Sequence, residues 1–507
     1  MKHVTIPLVA VFAAVCVSST PVSAASSCES LSTLELPDTT ITAAQSVAAG
    51  GFSPSSAGGG GQTYSTLPAF CRVAATIKPT SDSDIKVEVW LPASGWNGKY
   101  QAVGNGGWAG TITYAAMARS LRDGYATSST DTGHTGGNAS FALGHPEKLV
   151  DYAYRAVHEM TVKSKAIASA FYGADPKRAY FNGCSTGGRQ ALIAAQRFPN
   201  DFDGIVAGAA ANPKSGLDAW RIWMTQAMLK NQASFIPEEK HRVIHQAVLD
   251  ACDTIDGVKD GLIENPTRCH FDPAVLACRG ADGPNCLTAA QLETAKVVMS
   301  PVKNRQTGES IFPGFEPGTE LGWSRMLSGP EPYANAVEQF KYIVFKDPKW
   351  DWRTFDLERD VAAAEKSGQG TLAAIDPNLT AFAQRGGKLI TYHGWSDQNI
   401  APQASVNFFN RALAATTPQA NGSAWLRLYM VPGMGHCSGG EGPDTFDMMR
   451  PLDAWVETGT LPQHVEASKI TGEKVTRTRP LCPYPQVARY KGAGSIDDAA
   501  NFACAAP

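Results

Sequence analysis

Beyond its first residues, no stretch of this 507-residue chain approaches eighteen consecutive apolar positions, so hydropathy offers no membrane-spanning helix. Blocks of like charge are missing too. Lys and Arg number 44 against 47 Asp and Glu, a net charge of -3 without basic clusters, which argues against nucleic acid or an anionic membrane as partner. No C-x-x-C and no close Cys/His group occurs, so a zinc-type centre is not expected. Small-molecule chemistry is the expectation left standing. With 43% apolar and 18% charged residues the composition is globular, and the length suits one large domain with an insertion or two to three domains.

What is present begins with an export signal. Lys2 and His3 precede an apolar run from Val4 to Val17, and Val22-Ser23-Ala24 offers a small-residue cleavage site. Residues 1–24 therefore read as a signal peptide, with a secreted or periplasmic destination for the mature protein. A lipid-anchored cysteine at Cys16 or Cys28 competes with this, but the residues preceding each fit that acceptor poorly. Ten cysteines remain after cleavage, an even number that implies disulfides in an exported chain. Spacing alone does not fix connectivity; near neighbours suggest Cys252 with Cys269, Cys278 with Cys286, and Cys482 with Cys504.

Residues 26–61 are rich in Ser, Thr, Ala and Gly, with a loop at Gly58–Gly61. Strand patterns follow at 72–78, 85–91 and 100–103, the last running into Gly104-Asn105-Gly106-Gly107-Trp108-Ala109-Gly110. That loop is either a flexible turn or a source of backbone N–H donors for a developing oxyanion. A helical pattern spans 149–172, and Phe202–Gly208 is a short buried strand. Between them, Arg178–Phe181 reads as a strand, Gly183-Cys184-Ser185-Thr186-Gly187 as a nucleophile elbow, and Arg189–Arg197 as a helix. Strand and helix alternate again from Lys388, through a helical run at 404–414, to a strand at 425–431. Residues 213–375 break the alternation with four cysteines and Trp220, Trp223, Trp323, Trp350 and Trp352, which either pack a core or face an aromatic substrate. The fold expected is α/β, an α/β-hydrolase core at 25–212 and 376–507 interrupted by a lid at 213–375.

A serine hydroxyl needs a base and an orienting acid to become nucleophilic. Asp397 follows the strand ending at His393, and His436 follows the strand ending at Val431, which gives the order Ser, Asp, His of that fold. Each has a plainer reading, a turn-forming aspartate and an ordinary histidine, that would require position and order both to be coincidental. His134, His158 and His393 are weaker candidates for the base. If the triad forms, Cys184 and Cys437 approach each other, so a bridge between them is predicted, leaving Cys28 with Cys71.

The run Gly183-Cys184-Ser185-Thr186-Gly187-Gly188-Arg189, the Gly435-His436-Cys437 run, the segment Thr130-Asp131-Thr132-Gly133-His134 and the ten-cysteine layout resemble the tannase and feruloyl esterase family, over nearly all of the mature chain. The resemblance implies an α/β-hydrolase core, a lid, a disulfide joining nucleophile to base, and a structural calcium site in the lid. By that resemblance the Ca2+ ligands are the carboxylates of Asp253, Asp256 and Asp260 and the carbonyls of Val258 and Leu262; from the residues alone, two Asp-Gly turns would explain the segment as well. The chemistry implied is acyl transfer through Ser185, with the oxyanion held by the N–H of Thr186 and of Gly106 or Gly107. The substrates implied are esters of aromatic, hydroxycinnamic-type acids, small or attached to plant polysaccharide. Galloyl esters and terephthalate monoesters are alternatives within the family, and a non-catalytic binding protein is one outside it. Arg325 and Lys341 could meet a substrate carboxylate or simply be solvated.

Overall fold

The structure, a computed structural model, describes residues 26–54, 64–327, 329–420 and 425–507. The expected signal peptide and the Gly58–Gly61 loop lie outside them. Strands β1 (Thr39–Val47), β2 (Phe70–Ile77), β3 (Ile85–Pro92), β4 (Lys99–Val103), β5 (Ala126–Thr130), β6 (Arg178–Cys184) and β7 (Gly204–Gly208) join strands Lys388–Gly394 and Leu426–Val431 in one sheet. Its order is β1-β2-β3-β5-β4-β6-β7, then 388–394, then 426–431. The β1 end is antiparallel, and from β5 onward every pairing is parallel. Parallel strands are covered on both faces, which is why β7 (Gly-Ile-Val-Ala-Gly) is buried at every position. Helices Ala156–Tyr172 and Thr186–Arg197 supply part of that cover. Such a sheet presents its loops, and hence its chemistry, at the carboxyl ends of its strands.

Three elements differ from expectation. The helix after the elbow starts at Thr186, not Arg189, because Gly187 and Gly188 sit inside its first turn against the core. A Cβ on Gly188 would lie 2.2 Å from the Gly208 carbonyl oxygen, so only glycine lets the helix pack there. The long helical pattern begins at Pro146 and passes through a π turn at Asp151–Arg155, where Arg155 Nε donates to the buried Asp151 carboxylate at 2.5 Å. β1 occupies a stretch read as irregular; as the sheet's edge strand it needs no strongly apolar face.

The insertion between β7 and strand Lys388–Gly394 is mainly helical, with helices Lys214–Met228, Glu238–Cys252, Ala289–Met299 and Leu357–Leu372. It builds its own apolar core around Trp220, Trp323, Phe340 and Trp352, and that core extends onto Ile400 and Ala404 of the main domain. Trp223 and Trp350 pack against the same cluster. The five tryptophans thus serve packing. Disulfides join Cys28 to Cys71, Cys184 to Cys437, Cys252 to Cys269, Cys278 to Cys286, and Cys482 to Cys504.

Candidate active site

β6 ends at Cys184 and the following helix begins at Thr186, leaving Ser185 alone in the turn with φ 63° and ψ -120°. Positive φ is costly for a side-chain-bearing residue, so the surroundings must hold it. Ser185 N donates to the Gly208 carbonyl at 3.0 Å, and Ala211 N donates to the Ser185 carbonyl at 3.1 Å. Gly183 is obligatory here: a Cβ on it would fall 2.6 Å from the Gly187 backbone.

Asp397, in the turn after strand Lys388–Gly394, is fully buried. Its Oδ1 accepts the N–H groups of Asn399 (2.7 Å) and Ile400 (3.0 Å). Oδ2 accepts from His436 Nδ1 at 2.7 Å and from His393 Nε2 at 3.0 Å. Burial alone would raise the Asp397 carboxyl, but the charge of His436 and the hydrogen bonds of both histidines hold it well below the usual carboxylate range. His436 N donates to Gln398 Oε1 at 3.2 Å, which anchors the base to the acid's own turn. The next residue, Cys437, has φ 64° and is bonded to Cys184 with a Cα–Cα distance of 6.1 Å.

Ser185 and His436 line one cavity of about 1060 Å³, together with Gly106 and Gly107 of the core and Arg325 and Tyr333 of the insertion. The glycine loop after β4 is rigidly held. Asn105 donates to the Thr111 and Thr130 carbonyls, and its own carbonyl accepts the Gly187 N–H at 2.8 Å. The Gly107 carbonyl accepts from the Tyr152 hydroxyl at 2.6 Å and the Thr186 hydroxyl at 2.9 Å. These bonds turn the carbonyls away and leave the Gly106 and Gly107 N–H groups without a protein acceptor among the described residues.

The other histidines fall elsewhere. His134 is buried under this loop with Nε2 2.7 Å from the Trp108 carbonyl, so the Thr130–His134 segment supports the glycine loop. His158 bonds Asp201 on the helical cover. His393 touches the acid. Arg325 lines the cavity and Lys341 does not.

The sequence profile of the tannase and feruloyl esterase family matches residues 71–505. The chain belongs to that family. It is 38% identical to an uncharacterized esterase of Xanthomonas campestris pv. campestris, over 96% of this chain and 92% of that protein. A probable feruloyl esterase B-2 of Aspergillus terreus is 34% identical, over 89% of this chain and 88% of the relative. Among solved structures, feruloyl esterase B from Aspergillus oryzae superposes with a TM-score of 0.88 at 31% identity, covering 94% of this chain and 99% of that one. Tannin acyl hydrolase from Aspergillus niger shares the fold, with a TM-score of 0.77 at 24% identity over 93% and 92% of the two chains. The core is thus of the α/β-hydrolase type, and this member of the feruloyl esterase and tannase family is a carboxylic ester hydrolase. The reading as a non-catalytic binding protein gives way to it.

In this esterase the aspartate-rich loop lies 253–262 along the chain, closed by Cys252–Cys269. Asp253 accepts the N–H groups of Asp260 and Gly261, Asp256 that of Val258, and Asp260 that of Leu262. Asp260 also pairs with Arg479. Burial pushes the Asp256 carboxyl up to about 6, with Asp260 and Asp253 adding to the rise, and burial pushes nearby Glu264 up to about 7. Asp253, Asp256, Asp260 and Glu264 outnumber Arg477 and Arg479 at this loop, an excess of negative charge that a hard cation relieves. The donor chemistry therefore fits Ca2+. Among the described residues the one tight trio of ligand-type side chains is instead Cys278, Asp282 and Cys286, whose sulfurs are bonded to each other and whose carboxylate pairs with Lys240 at 2.5 Å.

Proposed function

We propose that this chain is a secreted serine esterase that releases aromatic, hydroxycinnamic-type acids from their esters through Ser185, His436 and Asp397. The observation that carries the reading is the 2.7 Å bond from His436 Nδ1–H to buried Asp397, beside a serine tied to the same histidine by the Cys184–Cys437 bridge. With Nδ1 as donor, Nε2 is free to take a proton. As Ser185 Oγ attacks the ester carbonyl carbon, its proton passes to His436 Nε2, and the imidazolium then protonates the departing alkoxide. Asp397 stabilises that imidazolium. The oxyanion is held by the N–H of Thr186 and of Gly106 or Gly107, donors fixed before substrate arrives. Water, deprotonated by His436, attacks the acyl-enzyme and frees the acid.

Relatives named feruloyl esterases support the aromatic acid, and Tyr333, Tyr392 and Phe446 give the cavity aromatic walls. Arg325, exposed and without an ion-pair partner among the described residues, favours a terephthalate monoester or another anionic ester as second reading. Calcium at Asp253, Asp256, Asp260, Val258 and Leu262 is part of the proposal, as a structural ion that would cross-brace the loop; it takes no part in the reaction. A fluorophosphonate probe tests the nucleophile: absence of an adduct on Ser185 in the folded protein refutes the triad. Hydrolysis of methyl ferulate, methyl gallate and a terephthalate monoester tests the acid; equal slow rates on all three refute the substrate class. Mature protein beginning at Ala25 in the culture medium would support export.

A further inference from the structure

We propose that His393 is a positioning residue for the reaction, a second imidazole that clamps Asp397 from behind while Ser405 fixes its tautomer. This rests on the triad reading above. His393 closes the strand that precedes the acid and is fully buried. Its Nε2 faces two atoms that can only accept, Asp397 Oδ2 at 3.0 Å and the Ile400 carbonyl at 3.2 Å. Nε2 must therefore carry a hydrogen in every protonation state. Nδ1 lies 2.7 Å from Ser405 Oγ, at the start of helix Gln403–Ala420. In the neutral ring Nδ1 accepts the Ser405 O–H, so the tautomer that donates to Asp397 is selected by a hydroxyl on a different element.

The consequence lies on Asp397. Each of its two oxygens receives two hydrogen bonds, and the carboxylate has no freedom to turn away from His436. Because Oδ2 is shared, part of its negative charge is already compensated before His436 becomes cationic. The titratable groups facing Asp397 are His436 and His393; the backbone N–H groups of Asn399 and Ile400 are its other donors, Ser405 bonds the far side of His393, and the nearest further charge, Arg221, is held on the Asn399 carbonyl. Removing the His393 donor leaves His436 facing more of the Asp397 charge, which favours the cationic ring.

The test compares His393→Leu, His393→Gln and Ser405→Ala in the full chain. His393→Leu should lower kcat about ten- to a hundredfold at nearly constant KM, the loss of one hydrogen bond to a charged group. It should also move the acid limb of kcat/KM to higher pH. His393→Gln, whose amide N–H can reach Asp397, should recover most of the rate, and Ser405→Ala should shift the limb in the same direction with a smaller loss. An unchanged pH profile in His393→Leu, or equal losses in the Leu and Gln variants, overturns the proposal. Should His393→Leu not fold, Ser405→Ala decides: wild-type kcat and wild-type profile overturn it. Fluorophosphonate labelling of Ser185 in each variant separates this outcome from failure of the triad itself, which would leave even the parent unlabelled.

Discussion

Cys184 and Cys437 stand 253 residues apart in sequence and are covalently joined, Cys184 next to Ser185 and Cys437 next to His436. Ser185 and Cys437 both hold positive φ, 63° and 64°, so the bridge spans two strained turns at the carboxyl edge of the sheet. Breaking it in the double variant Cys184→Ala, Cys437→Ala should cost about 2–5 kcal/mol of stability. Turnover should fall further than the loss of folded protein explains. Urea unfolding and active-site titration on one preparation measure the two separately.

Asp397→Asn should lower kcat about 10⁴-fold, since an amide can donate to His436 Nδ1 and so stabilise the wrong tautomer. Thermal melting should show a folded protein. Steady-state hydrolysis of methyl ferulate reads the rate, and a fall of less than tenfold would contradict the role of Asp397.

His245 joins the insertion to the loop that carries His436, with Nδ1 2.9 Å from buried Glu320 and Nε2 3.0 Å from Glu441, four residues after Cys437. Burial would lower its pKa, but hydrogen bonds to Glu320 and Glu441 and their charges raise it to about 9. The sign follows from that rise. The stabilisation is complete below the unfolded value near 6.5 and is lost as pH climbs through about 9. Urea midpoints should therefore fall between pH 6.5 and 9, and the slope should flatten in Glu441→Gln.

Chelation should lower the melting temperature, and added Ca2+ should restore it, with kcat at low temperature unchanged. Asp256→Asn should melt like the chelated parent and no longer respond to Ca2+. A melting curve indifferent to chelator in the parent would refute the calcium site.

Gly188→Ala places a methyl group against the Gly208 carbonyl and the Ala210 backbone, groups that cannot yield without moving β7. A loss of at least about 1–3 kcal/mol is expected, measured by urea unfolding.

Much of the fold and of the candidate site is legible in the sequence because the proposed site residues sit in loops directly after buried strands. Ser185, Asp397 and His436 each follow an apolar run that can be recognised without a structure, and the paired cysteines mark two of the three. β1 escaped because Thr-Thr-Ile-Thr-Ala-Ala-Gln-Ser-Val lies at an edge, where one neighbour suffices and strong apolar alternation is not required. The hairpin Val465–Thr471 with Lys474–Leu481 escaped for a similar reason: its strands are largely exposed and rich in Lys, Arg and Thr. In a linear reading His393 is a candidate base, since nothing there shows that its ring turns back onto Asp397, four residues on. That is a matter of the turn's shape, which the Asn399 and Ile400 N–H groups set.

β7 pairs directly with strand Lys388–Gly394, although the whole lid separates them in the chain. During synthesis β7 therefore waits without this neighbour until roughly 180 further residues, the insertion among them, have followed. Through that interval the Cys184 thiol has no partner and the sheet has an open edge in its middle. The partner of Cys184, Cys437, lies 253 residues further on, so the yield of folded protein depends on the order in which the thiols find each other.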